Sequence, residues 1–204
     1  MSKTVSLPSK VGEPTWEIAE LLYPYQGSWT VQKYLALDTN KLIEFTQGKL
    51  ELLPMPSQSH QLFVYYLFKL LQTYIAKHQI GTALFAPFRI RLDEGRFREP
   101  DIMFCFFKND SRRHEQYWEG ADLVMEVVSP DDPKRDTVEK REEYAQAGIP
   151  EYWIVNPLDK TITVLTLNDK IYDVYRVCGE RETAQSKLLP GFEANVTAVF
   201  ASAK

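Results

Sequence analysis

The longest amphipathic segment of the chain is "SQSHQLFVYYLFKLLQTYIAKHQ", residues 57–79. Apolar residues recur in it every three or four positions, and they leave a polar stripe that runs from Lys69 to Lys77. This period is typical of an α-helix that buries most of its surface. We therefore predict a long, mostly buried helix that ends at Gly81.

Two shorter elements are predicted before this helix. "WTVQKYLALD" has helical spacing, and "KLIEFTQGKLELLPM" contains two extended runs separated by Gly48. A glycine between two short extended runs indicates a β-hairpin. We expect a helix followed by a hairpin.

The second half of the chain is dominated by short apolar runs. The strand candidates are "TALFAPFRIRL", "DIMFCFF", "ADLVMEVVS", "EYWIVN", "TITVLTL" and "IYDVYRV". Between the third and fourth runs lies a charged, helix-forming segment that ends with Gly148 as a C-cap. A strand, a helix and a second strand of this length predict a right-handed parallel crossover. The predicted fold class is α/β, with a central mixed sheet flanked by helices.

Composition sets the expected class of protein. The 204 residues are 44% hydrophobic, enough for one sizeable core, and we predict a domain over residues 29–204 preceded by an extension over residues 1–28. The net charge of −4 gives no overall basic field, so charge alone neither supports nor excludes a nucleic-acid partner. Neither a membrane-spanning stretch nor a signal peptide is visible, and Cys105 and Cys178 lack metal-ligand spacing. These features predict a soluble cytoplasmic protein with no membrane partner.

Two acidic residues are unusual in this pattern. Glu126 lies within "DLVMEVVSPDD", which otherwise has the character of a buried strand, where an uncompensated carboxylate costs several kcal/mol. Asp101 opens an apolar strand directly after Pro100, and it is either a turn residue or a second carboxylate of the same site. Two carboxylates and the Val127 backbone carbonyl would form an oxygen-rich site suited to Mg²⁺ or Mn²⁺.

Three stretches carry a resemblance to a known family. "EPD", "DLVMEVVSPDD" and "KREEYAQAGIPEYWIVNP" resemble the Uma-type endonucleases of the PD-(D/E)XK nuclease superfamily, and the similarity covers roughly residues 29–200. The resemblance implies a restriction-endonuclease-like core in which Pro100 and Asp101 form the PD element. Glu126 would begin the (D/E)XK element, but Val128 occupies the position at which the superfamily pattern has lysine.

Two lysines could replace the missing strand lysine. Lys134 completes a literal D-X-K in "DPK", but Pro133 places that segment in a loop. Lys140 shares a helix stripe with Tyr144 and matches the lysine of a "K-x-x-x-Y" helix in the resembled family. Lys140 is either the lysine that orients the attacking water or a solvated residue of the charge run.

Two further residues match the resembled family. Glu44 corresponds to its early glutamate and would assist the metal site, although an exposed hairpin residue is an equal alternative. His60 follows "PSQS" at the start of the long helix, where it would approach a phosphate or stabilise the helix N-terminus. Tyr144 is a weaker candidate, on the same helix as Lys140.

The resemblance and the acidic residues together predict a function. We expect a metal-dependent endonuclease that hydrolyses phosphodiester bonds of nucleic acid, with DNA as the first expectation and RNA and structured junctions still open. A homodimer is expected of an enzyme that cuts two strands. The alternative is a catalytically inactive relative that binds nucleic acid or a protein partner, because a fold does not guarantee its chemistry.

Overall fold

The computed structural model describes residues 24–39 and 41–203, which form a mixed α/β fold. The helices are α1 (Val31–Leu35), α2 (Gln58–His78), α3 (Lys140–Gln146) and α4 (Val196–Ala201). The strands are β1 (Ile43–Thr46), β2 (Lys49–Leu52), β3 (Gly81–Phe85), β4 (Arg89–Asp93), β5 (Arg96–Arg98), β6 (Ile102–Phe106), β7 (Tyr117–Glu119), β8 (Leu123–Val127), β9 (Glu151–Asn156), β10 (Thr161–Asn168), β11 (Ile171–Cys178), β12 (Thr183–Gln185) and β13 (Glu193–Asn195). A 3₁₀ helix covers Phe107–Arg112, and a π-helical turn, Arg135–Glu139, leads directly into α3. Most of the predicted extension, residues 1–23, lies outside the described residues.

A six-stranded mixed sheet forms the centre of the fold, in the order β11-β10-β9-β8-β6-β3. β8 and β9 pair in parallel, and α3 lies in the connection between them, as the sequence predicted. The other pairs in this sheet are antiparallel. The predicted fold class, a central mixed sheet flanked by helices, is confirmed.

The two faces of the sheet bury different helices. On one face, Leu67 and Leu71 of α2 pack in a cluster with Leu123 and Met125 of β8. Tyr144 of α3 belongs to the cluster on the opposite face. Because side chains alternate along a strand, even-numbered positions of β8 point toward α3 and odd-numbered positions toward α2.

The long helix α2 has the predicted boundaries within two residues. It begins after Ser57, whose hydroxyl accepts a hydrogen bond from the His60 backbone N–H (3.2 Å), and it ends at Gln79, which has a left-handed backbone conformation. The prediction that the helix ends at Gly81 is wrong. Gly81 opens β3, where a β-carbon would overlap the Cys105 carbonyl oxygen. Among the described residues, no helix combines the length and the apolar character needed to span a bilayer.

A second sheet of five strands, in the order β2-β1-β5-β4-β7, was only partly predicted. Its β1-β2 hairpin closes through Gln47 and Gly48, both with positive φ, which suits the tight turn of a twisted hairpin. The "TALFAPFRIRL" run is not one strand but β3 and β4, which belong to different sheets. Pro87 lies between them and lacks the N–H that a continuous ladder requires.

Candidate active site

Asp101 and Glu126 meet at the ends of two neighbouring strands. Asp101 directly precedes β6, and Ile102 at the start of that strand is paired with Met125 of β8. The Asp101 backbone N–H donates to Glu126 Oε2 (3.3 Å), and the backbone N–H of Val127 donates to Asp101 Oδ2 (2.8 Å). Each carboxylate is therefore held beside the other strand's backbone.

Lys140 is the first residue of α3, and its side chain reaches Glu126. Its Nζ lies 3.0 Å from Glu126 Oε1 and 3.0 Å from Asp136 Oδ1. The Tyr144 hydroxyl, one helical turn further on, donates to Glu126 Oε1 (2.6 Å). All four side chains are buried, so the predicted stripe of Lys140 and Tyr144 faces the sheet and not the solvent.

The electrostatics of this cluster favour an additional positive charge. Burial raises the pKa of Glu126 to about 8, and the charges of Asp101 and Asp136 add to that increase, while Lys140 opposes it. Burial would lower the pKa of Lys140, but the Glu126 and Asp136 carboxylates outweigh it and hold that pKa above its usual range. Lys140 is therefore a fixed cation among carboxylates that its single charge does not neutralise.

His60 approaches the same carboxylates from the start of α2. Its Nε2 lies 3.2 Å from Asp101 Oδ2 and 3.2 Å from the carbonyl oxygen of Val127. Because both oxygens accept hydrogen bonds, Nε2 carries a proton in this arrangement. Burial would lower the pKa of His60, but the Asp101 hydrogen bond and the nearby carboxylates raise it above its ordinary value.

Glu44 is completely buried on β1, and both of its carboxylate oxygens already have hydrogen-bond or ion-pair partners. Oε1 accepts from the Glu99 backbone N–H (3.1 Å), while Oε2 lies 3.5 Å from Arg98 Nε and pairs with Arg135. Burial would raise the pKa of Glu44, but the positive charges of Lys140, Arg98 and Arg135 outweigh it and hold that pKa below its usual range. The expectation of an exposed hairpin residue is wrong, because the second sheet encloses this side chain.

Two residues of the π-helical turn were not singled out from the sequence. Arg135 pairs with Glu44 and with Glu51, and so connects the β1-β2 hairpin to the segment that leads into α3. Asp136 is buried, and beside its contact with Lys140 it accepts from the Ser129 backbone N–H (3.4 Å). The only sequence signal for either residue is its place in the charge run that precedes Lys140.

Glu99 is the first residue of the "EPD" motif, and the sequence predicts no role for it. It is buried, with Oε1 3.7 Å from Arg89 Nε, and its Oε2 has no hydrogen-bond partner among the described residues. Burial raises the pKa of Glu99 to about 7, with Arg89 opposing that increase.

Of the two candidate replacement lysines, Lys140 lies at the cleft and Lys134 does not. Val128, at the position of the expected strand lysine, is fully buried in the cluster that includes Tyr144. Lys134 is exposed and does not belong to the described residues that line the cleft, whereas Lys140 does.

An open cleft of about 710 Å³ leads to the cluster. Its acidic lining residues are Glu51, Glu99, Asp101, Glu126, Asp131, Asp132 and Asp136, and its cationic ones are Arg135 and Lys140, with His60 beside them. One rim is the apolar segment Leu53–Pro56, which we call the apolar lip. Glu44 is not among the described lining residues, since it lies behind Arg135.

The donor set at the base of the cleft fits a hard divalent cation. Asp101, Glu126 and the Val127 carbonyl supply oxygen atoms only, and burial together with the charges of Asp101 and Asp136 raises the pKa of Glu126, an increase that a bound cation would oppose. No cluster of three or more acidic, histidine or cysteine side chains in the described part of the chain has the arrangement of a complete metal site. Mg²⁺ commonly uses one or two carboxylates and completes its shell with water and substrate phosphate, so an incomplete protein shell is compatible with it.

Comparisons with known proteins identify the family and agree with the fold. The model of the Uma2 family, described as "Putative restriction endonuclease", matches residues 31–197. A crystal structure described as that of "a putative nuclease belonging to DUF820", from Anabaena variabilis, is similar in fold, with a TM-score of 0.71 and 17% identity over 86% of this chain and 99% of the other. No curated protein matches the sequence. With 167 consecutive residues matched by its model, the chain belongs to the Uma2 family of restriction-endonuclease-like proteins.

Proposed function

We propose that the protein is a metal-dependent endonuclease that hydrolyses phosphodiester bonds of nucleic acid, with DNA as the substrate. The observation that carries the proposal is the contact of Lys140 Nζ with Glu126, beside Asp101, at the base of an open cleft. A carboxylate pair and an amine in one cleft form the constellation expected of the family, and here the amine comes from a helix. The membership of the Uma2 family supports the reaction class.

Asp101, Glu126 and the Val127 carbonyl are the residues that would hold Mg²⁺ or Mn²⁺. When bound, the ion would lower the pKa of a coordinated water and stabilise the negative charge of the phosphorane. The hydrogen bond from the Val127 N–H keeps Asp101 oriented toward the cleft (2.8 Å). His60 Nε2 contacts both Asp101 and the Val127 carbonyl, so it orients these two oxygen donors.

Lys140 positions the attacking water in this proposal. An ammonium group has three N–H donors, and two of them face Glu126 and Asp136. The third can donate to the water or to a phosphate oxygen. Because the surrounding carboxylates keep Lys140 protonated, it acts as a hydrogen-bond donor and a fixed positive charge, and not as a general base.

Tyr144 and Glu44 have supporting parts. The Tyr144 hydroxyl donates to Glu126 Oε1 and limits its rotation (2.6 Å). Glu44 binds Arg135, and that contact fixes the turn from which Lys140 extends. We therefore propose Glu44 as a positioning residue, in place of the metal-site role expected from the sequence.

A second candidate function is a catalytically inactive binding protein. It is favoured by the buried Val128 in place of the strand lysine and by the acidic lining of the cleft. In such a protein the contacts of Lys140 would serve only to compensate buried carboxylates.

A nuclease assay separates the two functions. Purified protein would be incubated with labelled single-stranded DNA, duplex DNA and RNA in Mg²⁺, in Mn²⁺ and in EDTA, with Lys140→Met and Lys134→Met assayed in parallel. The proposal expects metal-dependent cleavage that Lys140→Met removes and Lys134→Met retains. Equal metal-dependent cleavage by the wild type and by Lys140→Met would contradict the role given to Lys140. No metal-dependent cleavage of any substrate by the wild type would contradict the nuclease proposal.

A further inference from the structure

We infer that the cleft accepts a single-stranded segment of DNA, one or two nucleotides at a time, in preference to an intact duplex. This inference rests on the proposed function and names the form of its substrate. Three properties of the cleft support it, namely its charge, its size and the chemistry of its rim.

The charge of the lining is unfavourable for a duplex. Of the described residues, seven acidic ones line the cleft, and five carboxylates remain even without Glu99 and Glu126, whose pKa values are raised to about 7 and about 8. The two cationic residues of the lining are already paired, Arg135 with Glu44 and Glu51 and Lys140 with Glu126 and Asp136. Duplex DNA carries one negative charge per about 1.7 Å of its axis, while one strand carries one per about 3.4 Å. An acidic cleft therefore repels a duplex more strongly than the same length of a single strand.

The size of the cleft leads to the same preference. Its volume of about 710 Å³ lies within the range of pockets that enclose small molecules, about 300–1,000 Å³. A specific interface with duplex DNA covers a broad, positively charged protein surface. Only a short piece of a flexible strand would bring its phosphate down to Asp101 and Glu126.

The rim offers apolar contact that a duplex cannot use. In the apolar lip, Pro54 and Met55 are exposed, and Met55 retains 79% of its accessible surface. Pro130 and Pro157 also line the cleft. The faces of nucleobases are covered by stacking in a duplex and become available in a single strand, where apolar side chains can cover them.

The inference is tested first by substrate form. Cleavage in Mg²⁺ would be compared for a 5′-labelled 12-nucleotide strand, the blunt duplex of the same sequence, and that duplex with an unpaired flap. We expect the single strand and the flap to be cleaved at least tenfold faster, as kcat/KM, than the blunt duplex. A duplex cleaved as fast as the single strand would overturn the inference while leaving the proposed hydrolysis intact.

Binding provides the second test, with a variant that separates the two proposals. Fluorescence anisotropy with Glu126→Gln in metal-free buffer would measure the affinity for the same strand and duplex between 50 and 200 mM salt. With at most two phosphates contacted in the cleft, log K should fall with log salt at a slope no steeper than about −1.4. Tighter binding of the strand without any cleavage by the wild type would support this inference and refute the nuclease proposal. Three outcomes would refute this inference: a salt slope steeper than about −4, tighter binding of the duplex, or no binding of either form.

Two sets of variants localise the preference. Met55→Ala should weaken binding of the single strand several-fold and leave duplex binding unchanged, whereas Ile171→Ala, which alters a similarly exposed apolar residue outside the cleft lining, should change neither. The double variant Asp131→Asn with Asp132→Asn should raise the affinity for the duplex by more than that for the strand. Its control is Glu139→Gln with Glu142→Gln, two exposed residues that do not line the cleft. Equal effects of test and control variants would contradict the assignment.

Discussion

Glu44 and Glu126 are both almost fully excluded from solvent, yet their carboxyl groups lie in opposite electrostatic surroundings. Glu44 is surrounded by Lys140, Arg98 and Arg135, and its pKa is lowered despite burial. Glu126 shares Lys140 with two other carboxylates, and its pKa is raised to about 8. Because both groups are buried, the difference between their pKa values comes from the balance of neighbouring charges.

The comparison assigns different tasks to the two glutamates. A carboxylate whose charge is compensated by arginines and a backbone N–H contributes to stability and has little capacity for a further cation. A carboxylate with too few cations around it gains from a metal ion. Four experiments would break or sharpen this distinction, from the largest expected effect to the smallest.

Lys140→Met should have the largest effect on activity. Removing the amine deprives the reaction of the hydrogen-bond donor that orients the water, which costs on the order of a hundredfold to a thousandfold in rate. Single-turnover cleavage under saturating Mg²⁺ measures this, with circular dichroism as a check of folding. The exposed Lys134→Met is the control and should keep most of the wild-type rate. An active wild type whose rate survives in Lys140→Met would show that metal alone, or another residue, activates the water.

Glu44→Gln should destabilise the protein by about 3 kcal/mol, since it leaves the buried Arg98 and the partly buried Arg135 with less charge compensation. This loss lies at the lower end of the range for breaking a buried ion pair, about 3–5 kcal/mol. The reason is that Arg98 keeps its ion pair with Glu143 and Arg135 keeps its ion pair with Glu51. Glu126→Gln should cost much less, because Lys140 keeps its contact with Asp136 and the change removes repulsion from Asp101 and Asp136. Urea denaturation in metal-free buffer measures both, and equal losses would remove the distinction between the two glutamates.

Metal binding should stabilise the wild type through Glu126. Mg²⁺ or Mn²⁺ at a hundredfold excess over its dissociation constant would add about 2.7 kcal/mol, visible as an increase in Tm. Glu126→Gln should abolish the increase, and Glu142→Gln, an exposed change on α3, should retain it. An unchanged Tm at millimolar metal, together with a blank calorimetric titration, would leave Glu126 without its proposed partner.

The smallest effect concerns acid pH. Glu44 has a pKa below its ordinary value of 4.5 in the folded protein, so the unfolded chain binds its proton more tightly. The stability it contributes is present above pH 4.5 and is lost as the pH falls through the folded pKa. The difference in unfolding free energy between wild type and Glu44→Gln should therefore be constant near neutrality and shrink below pH 4.5. A difference that widens in acid would contradict the lowered pKa.

The central sheet and much of the cleft could be predicted from local pattern. The apolar run around Glu126 identified β8, and the four-residue spacing of Lys140 and Tyr144 correctly placed both on one helix face. Strand alternation also put Glu126 on the side of Val124 and Val128, where α3 packs. These are short-range regularities that each segment carries by itself.

The surroundings of Glu44 could not be predicted in this way. Arg135 lies 91 residues from Glu44 and 84 from Glu51, so their contacts depend on how two sheets come together. β5 is only three residues long, "RFR", and has no apolar pattern to identify it. The role of Asp136 depends on a π-helical turn, for which the charge run gives no distinctive signal.

That π-helical turn determines the direction in which the amine of Lys140 points. On a strand, a side chain has two directions, and a one-residue shift exchanges them. On a helix, each residue adds about 100° of rotation, so the direction of Lys140 depends on the number of residues counted from the anchor at Arg135. A wider turn accommodates one residue more than an α-helical turn in this interval, Arg135–Glu139. A deletion among residues 137–139 would turn the amine away from Glu126 without altering any described residue that lines the cleft, so the length of this interval is under the same constraint as the identity of the lysine.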